Sequence, residues 1–99
     1  MFIRVLHLEM KTDRWDEALA RFREQVFPEL ERQEGFMRAI LGGEKETGRA
    51  ALITMWQTAG HAKTYEDSGT AARYIHRFDE MYAKEPQIEG YPVLFDREF

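Results

Sequence analysis

Apolar and polar side chains alternate along the first ten residues, which is the pattern of a β-strand with two distinct faces. The predicted strand runs from Phe2 to Met10, with Ile3, Val5, His7 and Glu9 on one face and Phe2, Arg4, Leu6, Leu8 and Met10 on the other. A second strand of this kind is predicted from Arg49 to Gln57. Since both faces of these strands are largely apolar, we expect both sides of the sheet to be covered.

The spacing changes after the first strand, because apolar residues now recur every three or four positions, as on one face of a helix. Thr12 or Asp13 is predicted to cap the start of this helix, and Gly35 to follow its end. Pro28 lies inside the pattern and should kink the helix or begin a new short turn. The apolar stripe consists of Trp15, Ala18, Leu19, Phe22, Val26 and Leu30.

A second helix is predicted to begin after Thr58, a good N-cap, and to end before Pro86. Residues 67–70 should interrupt it, since Ser68 or Thr70 can cap a new helical segment. The stripe of its second half is Ala71, Tyr74, Ile75, Phe78, Met81 and Tyr82. The other strands are predicted at Phe36 to Leu41 and within Ile88 to Phe99, with a hairpin loop from Gly42 to Gly48.

These elements follow the order β-α-β-β-α-β, which is the ferredoxin-like arrangement of an α+β domain. A single domain should cover residues 1–99, with its four strands in one antiparallel sheet. The two helices can cover only one face of that sheet, so its other apolar face needs a partner. We expect the partner to be a second copy of the chain, which would give a homodimer.

Composition excludes several classes of function. A net charge of −4 argues against nucleic-acid binding, which needs a basic surface. The absence of cysteine excludes disulfides, thiolate catalysis and cysteine-based metal sites, and it suits a reducing cytoplasm, the expected compartment. The longest apolar stretch, Ala50 to Trp56, is too short to span a bilayer, so no membrane partner is expected. Arg4, His7 and Glu9 break up any secretory signal.

Three features, taken in order, make the chain resemble the antibiotic biosynthesis monooxygenase (ABM) domain family. They are Trp56 at the end of the third strand, Pro28 late in the first helix followed by Gly35-Phe36, and the run from Tyr65 to Gly69 in the second helix. The resemblance covers nearly the whole chain. It implies a ferredoxin-like protomer that pairs as a dimeric α/β barrel, with a pocket between the helices and one face of the sheet.

The resemblance implies activities that include oxygenation of polyaromatic or quinol substrates without metal or flavin, and also haem degradation. Trp56 matches a tryptophan that polyketide-oxidising members use, while Leu52 and Ala62 stand where those members have an asparagine and a tyrosine. His61 follows Trp56 by five residues, as a histidine does in quinol-oxidising relatives.

Haem-degrading members use an asparagine in strand one, a tryptophan nine residues after the strand-three tryptophan, and a histidine further along helix two. His7 and Tyr65 occupy the first two positions here, and the third falls at Ile75 or His76. The leading expectation is therefore a protein without a cofactor, and haem is an alternative.

The resemblance implies that His7 points into the pocket, where a neutral imidazole could act as a general base. Tyr65 could donate a hydrogen bond to a developing oxyanion, and Trp56 could stack on an aromatic ligand. Each of these three candidate catalytic residues also suits a purely structural role. The expected ligand-binding residues are Phe22, Phe78, Leu52, His61 and His76, of which the two histidines would alternatively be solvent-exposed.

Two charged residues alternate into strand faces that otherwise look covered, Arg4 and Arg38. Either could pair with an acidic residue across a dimer or bind a carboxylate or phenolate ligand. No HxH or HExxH spacing is present, so no metal site is predicted.

Two interpretations of function remain, and they belong to different classes. The first is a small homodimeric monooxygenase-like enzyme acting on an aromatic or quinol-type small molecule. The second is a non-catalytic homodimer that binds a small hydrophobic ligand in the same pocket. An open cavity lined by His7 and Tyr65 would favour the enzyme, and a filled core would favour the second interpretation.

Overall fold

The fold is described here from a computed structural model that covers residues 1–99. The strands are β1 (Phe2–Met10), β2 (Phe36–Glu44), β3 (Arg49–Trp56) and β4 (Tyr82–Pro92). The α-helices are α1 (Trp15–Arg21), α2 (Phe27–Leu30), α3 (Ala59–Asp67) and α4 (Thr70–His76). None of these helices combines the length and the apolar character needed to cross a membrane.

The four strands form one sheet in the order β2-β3-β1-β4, and every neighbouring pair is antiparallel. The central strand β1 pairs Leu6 with Leu52 of β3 and with Ile88 of β4. The predicted α+β, ferredoxin-like fold is therefore confirmed. β2 continues through Gly42 and Gly43, which were predicted to lie in the hairpin loop, because both residues pair with β3.

Pro28 divides the first helical segment, as predicted. After α1 the chain makes a π-helical turn (Phe22–Val26), and α2 then begins with Pro28 in its first turn. In the π-helical turn the Phe27 N–H donates to the Phe22 carbonyl, one residue further back than in an α-helix. The wider turn suits proline, because its ring would otherwise strike the carbonyl four residues earlier.

The predicted cap of this segment is wrong. A 3₁₀ turn (Thr12–Arg14) precedes α1, and no side chain makes a capping hydrogen bond at the start of either. At the far end, Gly35 has a φ of 79°, which is the left-handed conformation expected of a residue that follows a helix.

The second helical segment begins and breaks where the sequence predicts. The Thr58 hydroxyl accepts a hydrogen bond from the His61 N–H at 3.1 Å and so caps α3. The helix is interrupted between α3 and α4, where Gly69 has a φ of 84°. Ser68 lies beside the break, and its hydroxyl accepts a long hydrogen bond of 3.4 Å from the Thr70 N–H.

β4 lies earlier in the chain than predicted. Helix α4 already ends at His76, and Pro86 lies inside β4 instead of ending the second helix. β4 is an edge strand, where proline is tolerated because an outward-facing N–H is not needed for the sheet. The β1–β4 register is also irregular near this proline, between the pairs of His7 and Glu9.

The two faces of the sheet have different surroundings. The helices pack on one face, and the buried core lies between the two layers. No helix covers the other face, which we call the open face. The apolar residues of the open face include Ile3 and Val5 of β1, Ile40 of β2, and Ala51, Ile53 and Met55 of β3, and the face also carries His7, Arg38, Glu89 and Tyr91. Its side chains are half-buried or exposed, so this surface is the apolar face that the sequence predicts.

Candidate functional site

A cavity of about 410 Å³ lies between the sheet and the helices. Eighteen of its 23 lining residues are hydrophobic, so it suits a largely apolar molecule. Its volume falls in the usual range for small-molecule sites, roughly 300–1,000 Å³. Its walls include Phe22, Phe78 and Leu52, three of the residues predicted to bind a ligand.

Tyr65 of α3 is the one predicted catalytic residue in the cavity wall. It is only 7 % exposed, and its ring centroid lies 4.6 Å from that of Trp56. No residue of the chain makes a hydrogen bond with its hydroxyl. Every side-chain oxygen or nitrogen that is sealed from open space does have a hydrogen-bond partner, so the Tyr65 hydroxyl is not one of the sealed atoms. The hydroxyl must therefore face open space, and the cavity is the open space that the residue lines.

Burial raises the pKa of Tyr65 to about 12, against a smaller opposing effect of the nearby Arg4 charge. The hydroxyl is therefore protonated at neutral pH. It can donate a hydrogen bond into the cavity, and it is a poor general base there.

Arg4 of β1 places a cation in the same wall. Its Nε donates to Glu66 Oε1 at 2.6 Å, and its guanidinium carbon lies 5.2 Å from the centroid of the Tyr65 ring. Arg4 is 5 % exposed, whereas the Glu66 side chain is 45 % exposed. The acidic partner of Arg4 therefore lies in the same chain, whereas the expectation from the sequence was one across a dimer.

Trp56 is fully buried, but it lies outside the cavity wall. Its indole N–H donates to the Thr54 hydroxyl at 3.0 Å, and its ring makes an edge contact with Phe36. The expectation that Trp56 stacks on a ligand is wrong for this geometry, because Trp56 does not line the cavity and its ring packs against Tyr65. Trp56 is a core anchor.

The expectation that His7 points into the pocket is also wrong. Its side chain lies on the open face and is 51 % exposed, with Nε2 3.9 Å from Glu89 Oε1. β1 alternates strictly, so the residues that face the cavity are Arg4, Leu6, Leu8 and Met10. His7 has the opposite phase.

The other two histidines also lie outside the cavity wall, so their predicted contact with a ligand is not seen there. His61 Nδ1 lies 2.8 Å from the Thr58 hydroxyl, and its ring covers Gly35. His76 is exposed and pairs with Asp79 at 3.1 Å. No three His, Cys, Asp or Glu side chains come together as a metal site would require.

One end of the cavity is formed by the β2–β3 hairpin and the start of α1. The wall there contains Gly42, Gly43 and Lys45, all of which are exposed. A Cβ at Gly43 would lie 2.6 Å from the Trp15 ring, so the missing side chain lets the indole lie against the strand. Because these lining residues are exposed, we take this end as the mouth of the cavity.

Sequence reasoning left the role of Arg4 open and wrongly assigned His7 to the cavity. A signal was present, because the face of β1 that carries His7 also carries Glu9, whereas Arg4 is the one charged residue on the other face. Two ionisable groups mark the less enclosed face of a strand. Met10, Trp15, Tyr74 and Tyr82 also line the cavity, although no pattern assigned them to a site.

The fold is that of solved structures named as antibiotic biosynthesis monooxygenases. One such protein, from Deinococcus radiodurans, superposes with a TM-score of 0.78 at 12 % identity, covering 100 % of this chain and 98 % of that one. Another, from Nitrosomonas europaea, gives a TM-score of 0.76 at 18 % identity, covering 96 % of this chain and 100 % of that one. The predicted resemblance to this fold family is thus confirmed at the level of structure.

A haem-degrading protein of Mycobacterium tuberculosis, MhuD, has the same fold. Its TM-score is 0.77 at 16 % identity, covering 99 % of this chain and 100 % of that one, and its structure holds two haems in the active site. No family model matches the sequence. No curated protein has a significant sequence match either.

Proposed function

We propose that this protein is a small homodimeric monooxygenase-like enzyme that oxidises an aromatic or quinol-type molecule with dioxygen inside the cavity. The observation that carries the proposal is the buried Tyr65, whose unpartnered hydroxyl faces an apolar cavity with several aromatic rings in its wall. The shared fold with proteins named as monooxygenases supports the same reaction class by analogy.

The proposed reaction needs an electron-rich substrate and no cofactor. A quinol-type ring loses two hydrogens and gains one oxygen atom from dioxygen, and the second oxygen atom leaves as water. The substrate passes through a phenolate or carbanion, whose negative charge sits on the ring oxygen. Tyr65 donates a hydrogen bond to that oxygen, and the apolar wall of the cavity keeps competing water away.

A histidine base is not part of this proposal, because none of the three histidines lines the cavity. A phenol substrate can instead lose its proton to solvent at the cavity mouth. The positive charge of Arg4, which lies near Tyr65, favours the anionic form of that substrate.

The test is oxygen uptake and quinone absorbance with a panel of quinols and polycyclic phenols. We expect turnover by the wild-type protein and a loss of about tenfold or more in kcat for Tyr65→Phe. His7→Ala is the matched control, since it removes an ionisable ring outside the cavity, and it should leave turnover unchanged. The proposal fails if no compound is oxidised, or if Tyr65→Phe is as active as the wild type.

A second candidate function is non-catalytic binding of a small hydrophobic ligand by the same homodimer. The absence of any histidine or carboxylate from the cavity wall favours this candidate. It predicts that aromatic compounds bind, as measured by calorimetry, while oxygen uptake stays at the rate of the buffer.

Haem suits this cavity poorly. No histidine faces the cavity to serve as an axial ligand, and burial disfavours the tyrosinate form of Tyr65. We therefore expect no shift of the Soret band when haemin is added to the protein. A clear shift would return haem degradation to consideration.

A further inference from the structure

We infer that the cavity has a built anion subsite at Arg4, so its ligand is an apolar molecule with a single carboxylate, sulfonate or phenolate at one end. The inference rests on the proposed function, because the ligand occupies the same cavity. It adds the charge of the ligand and its orientation.

Arg4 is buried with part of its hydrogen-bonding capacity unused. Only Nε makes a hydrogen bond within the chain, to Glu66. The two terminal nitrogens make none, and neither is sealed from open space. Arg4 is 5 % exposed and lines the cavity, so its guanidinium presents free donors to whatever occupies that cavity.

The charge of Arg4 is incompletely balanced on the cavity side. Glu66 approaches from the side of Nε, is about half exposed, and does not line the cavity. None of the residues in the cavity wall is acidic. An anion on the terminal nitrogens would gain charge-assisted hydrogen bonds in a region of low dielectric constant, where such bonds are strongest.

Tyr65 adds a neutral donor next to the cation. Its ring lies 5.2 Å from the Arg4 guanidinium carbon, and its hydroxyl is unpartnered. Arginine and tyrosine together offer several donors and no acceptor that must be satisfied, since the Tyr65 O–H can donate a hydrogen bond to the ligand. This donor set matches a carboxylate or a phenolate better than a neutral carbonyl.

The register of the sheet gives the ligand a direction. Arg4 pairs with Thr54, and four residues further along the strands Leu8 pairs with Ala50, beside the mouth. Four residues of strand span roughly 13 Å. The ligand would thus place its anionic group at Arg4, at the inner end, and its rings towards Trp15 and Phe22.

Two fluorescent probes with the same ring system test this inference. The anionic probe is 8-anilinonaphthalene-1-sulfonate, and the neutral probe is N-phenyl-1-naphthylamine, which lacks only the sulfonate. We expect both to bind the wild-type protein and to displace each other. Arg4→Gln should weaken the anionic probe by about tenfold or more and change the neutral probe by less than about twofold.

Arg38→Gln is the matched control, because it removes the same charge from an exposed position outside the cavity wall. It should leave the Kd of both probes unchanged. Glu66→Gln tests the opposite direction, since it removes the carboxylate that competes for Arg4, and it should tighten the anionic probe alone. This second variant decides the question if Arg4→Gln does not fold.

The outcomes separate this inference from the proposed function. If neither probe binds the wild-type protein, the cavity takes no ligand and both fail. If both probes bind but Arg4→Gln and Glu66→Gln shift them equally or not at all, the anion subsite is wrong while ligand binding stands. If the probes respond as expected but no phenol is oxidised, the subsite is supported and the proposed reaction is not.

Discussion

Tyr65 and Trp56 are stacked aromatic neighbours, but Tyr65 serves the cavity and Trp56 serves the core. Measurements of the free energy of unfolding should distinguish these two roles. The Tyr65 hydroxyl has no partner in the chain, so Tyr65→Phe leaves no group unsatisfied. We expect it to change the free energy of unfolding by less than about 1 kcal/mol. Urea unfolding of the two proteins checks this, and a larger loss would mean that the hydroxyl serves the fold.

Trp56→Phe should be far more costly, because the indole is fully buried and its N–H is bonded to Thr54. We expect a loss of roughly 2–4 kcal/mol from the cavity created and from the unpaired threonine hydroxyl. Adding Thr54→Val should restore part of that loss, since both hydrogen-bonding partners are then gone. A double variant as unstable as the sum of the single variants would contradict this account.

The raised pKa of Tyr65 predicts how stability depends on alkaline pH. Below pH 10 the phenol is protonated in both the folded and the unfolded chain, so its contribution is fully present. Above pH 10 the unfolded chain releases the proton first, and stability falls until the folded pKa of about 12 is reached. Urea midpoints between pH 9 and 11 should fall less steeply in Tyr65→Phe, whereas equal slopes would refute a raised pKa.

At single residues, the sequence predicted which types of side chain would matter better than it predicted their direction. Tyr65, Phe22, Phe78 and Leu52 were assigned to the cavity and lie in its wall. His7 was assigned there because the family resemblance implied it, and the alternation of β1 did not contradict that assignment, since both strand faces are largely apolar. Which face of β1 meets the helices depends on how the whole sheet packs, so it cannot be predicted from the sequence of that strand alone.

Between elements, Gly35 in the loop before β2 packs against His61 at the start of α3. This contact is possible only because Gly35 has no side chain. A Cβ added at Gly35 would lie 2.2 Å from His61 Cγ, and the φ of 79° is unfavourable for any other residue. Gly35→Ala should therefore cost about 1–3 kcal/mol. Combining it with His61→Gly should remove the clash and leave the backbone strain together with the cost of a glycine inside α3.

A double-mutant cycle on these two positions measures that relief directly. We expect a coupling free energy of about 1 kcal/mol or more. Strictly additive losses would show that the imidazole does not press on Gly35. The result also bears on His61, since a packing role accounts for its position without any ligand.

Elements were predictable wherever a local rule governs them. Pro28 forces a break in any regular helix, and the π-helical turn before it is the result. Pro86 follows the same rule, but it was wrongly predicted to end the second helix, because proline is also tolerated in an edge strand. The choice between a helix end and an edge strand depends on where β4 joins the sheet, which is a long-range property.

For the whole molecule, the open face predicts a homodimer that two matched substitutions can test. Ile40 and Ile88 are both 48 % exposed, but Ile40 lies on the open face, whereas Ile88 pairs with Leu6 on the helix-covered side. Ile40→Glu should yield monomers in sedimentation experiments, and Ile88→Glu should leave the dimer intact. A wild-type protein that is monomeric at micromolar concentration would contradict the expected pairing.

Pro86 has a consequence for how this protein behaves in concentrated solution. Together with Pro92 it leaves the exposed edge strand β4 short of two backbone donors, and Lys84, Glu85 and Glu89 surround it with charge. A strand from another molecule adding to this edge would meet missing hydrogen bonds and buried charges, which are the features that keep natural sheets from growing into fibrils. We therefore expect copies of the chain to associate through the open face and not through β4, and we expect the protein to resist amyloid-like polymerisation along β4.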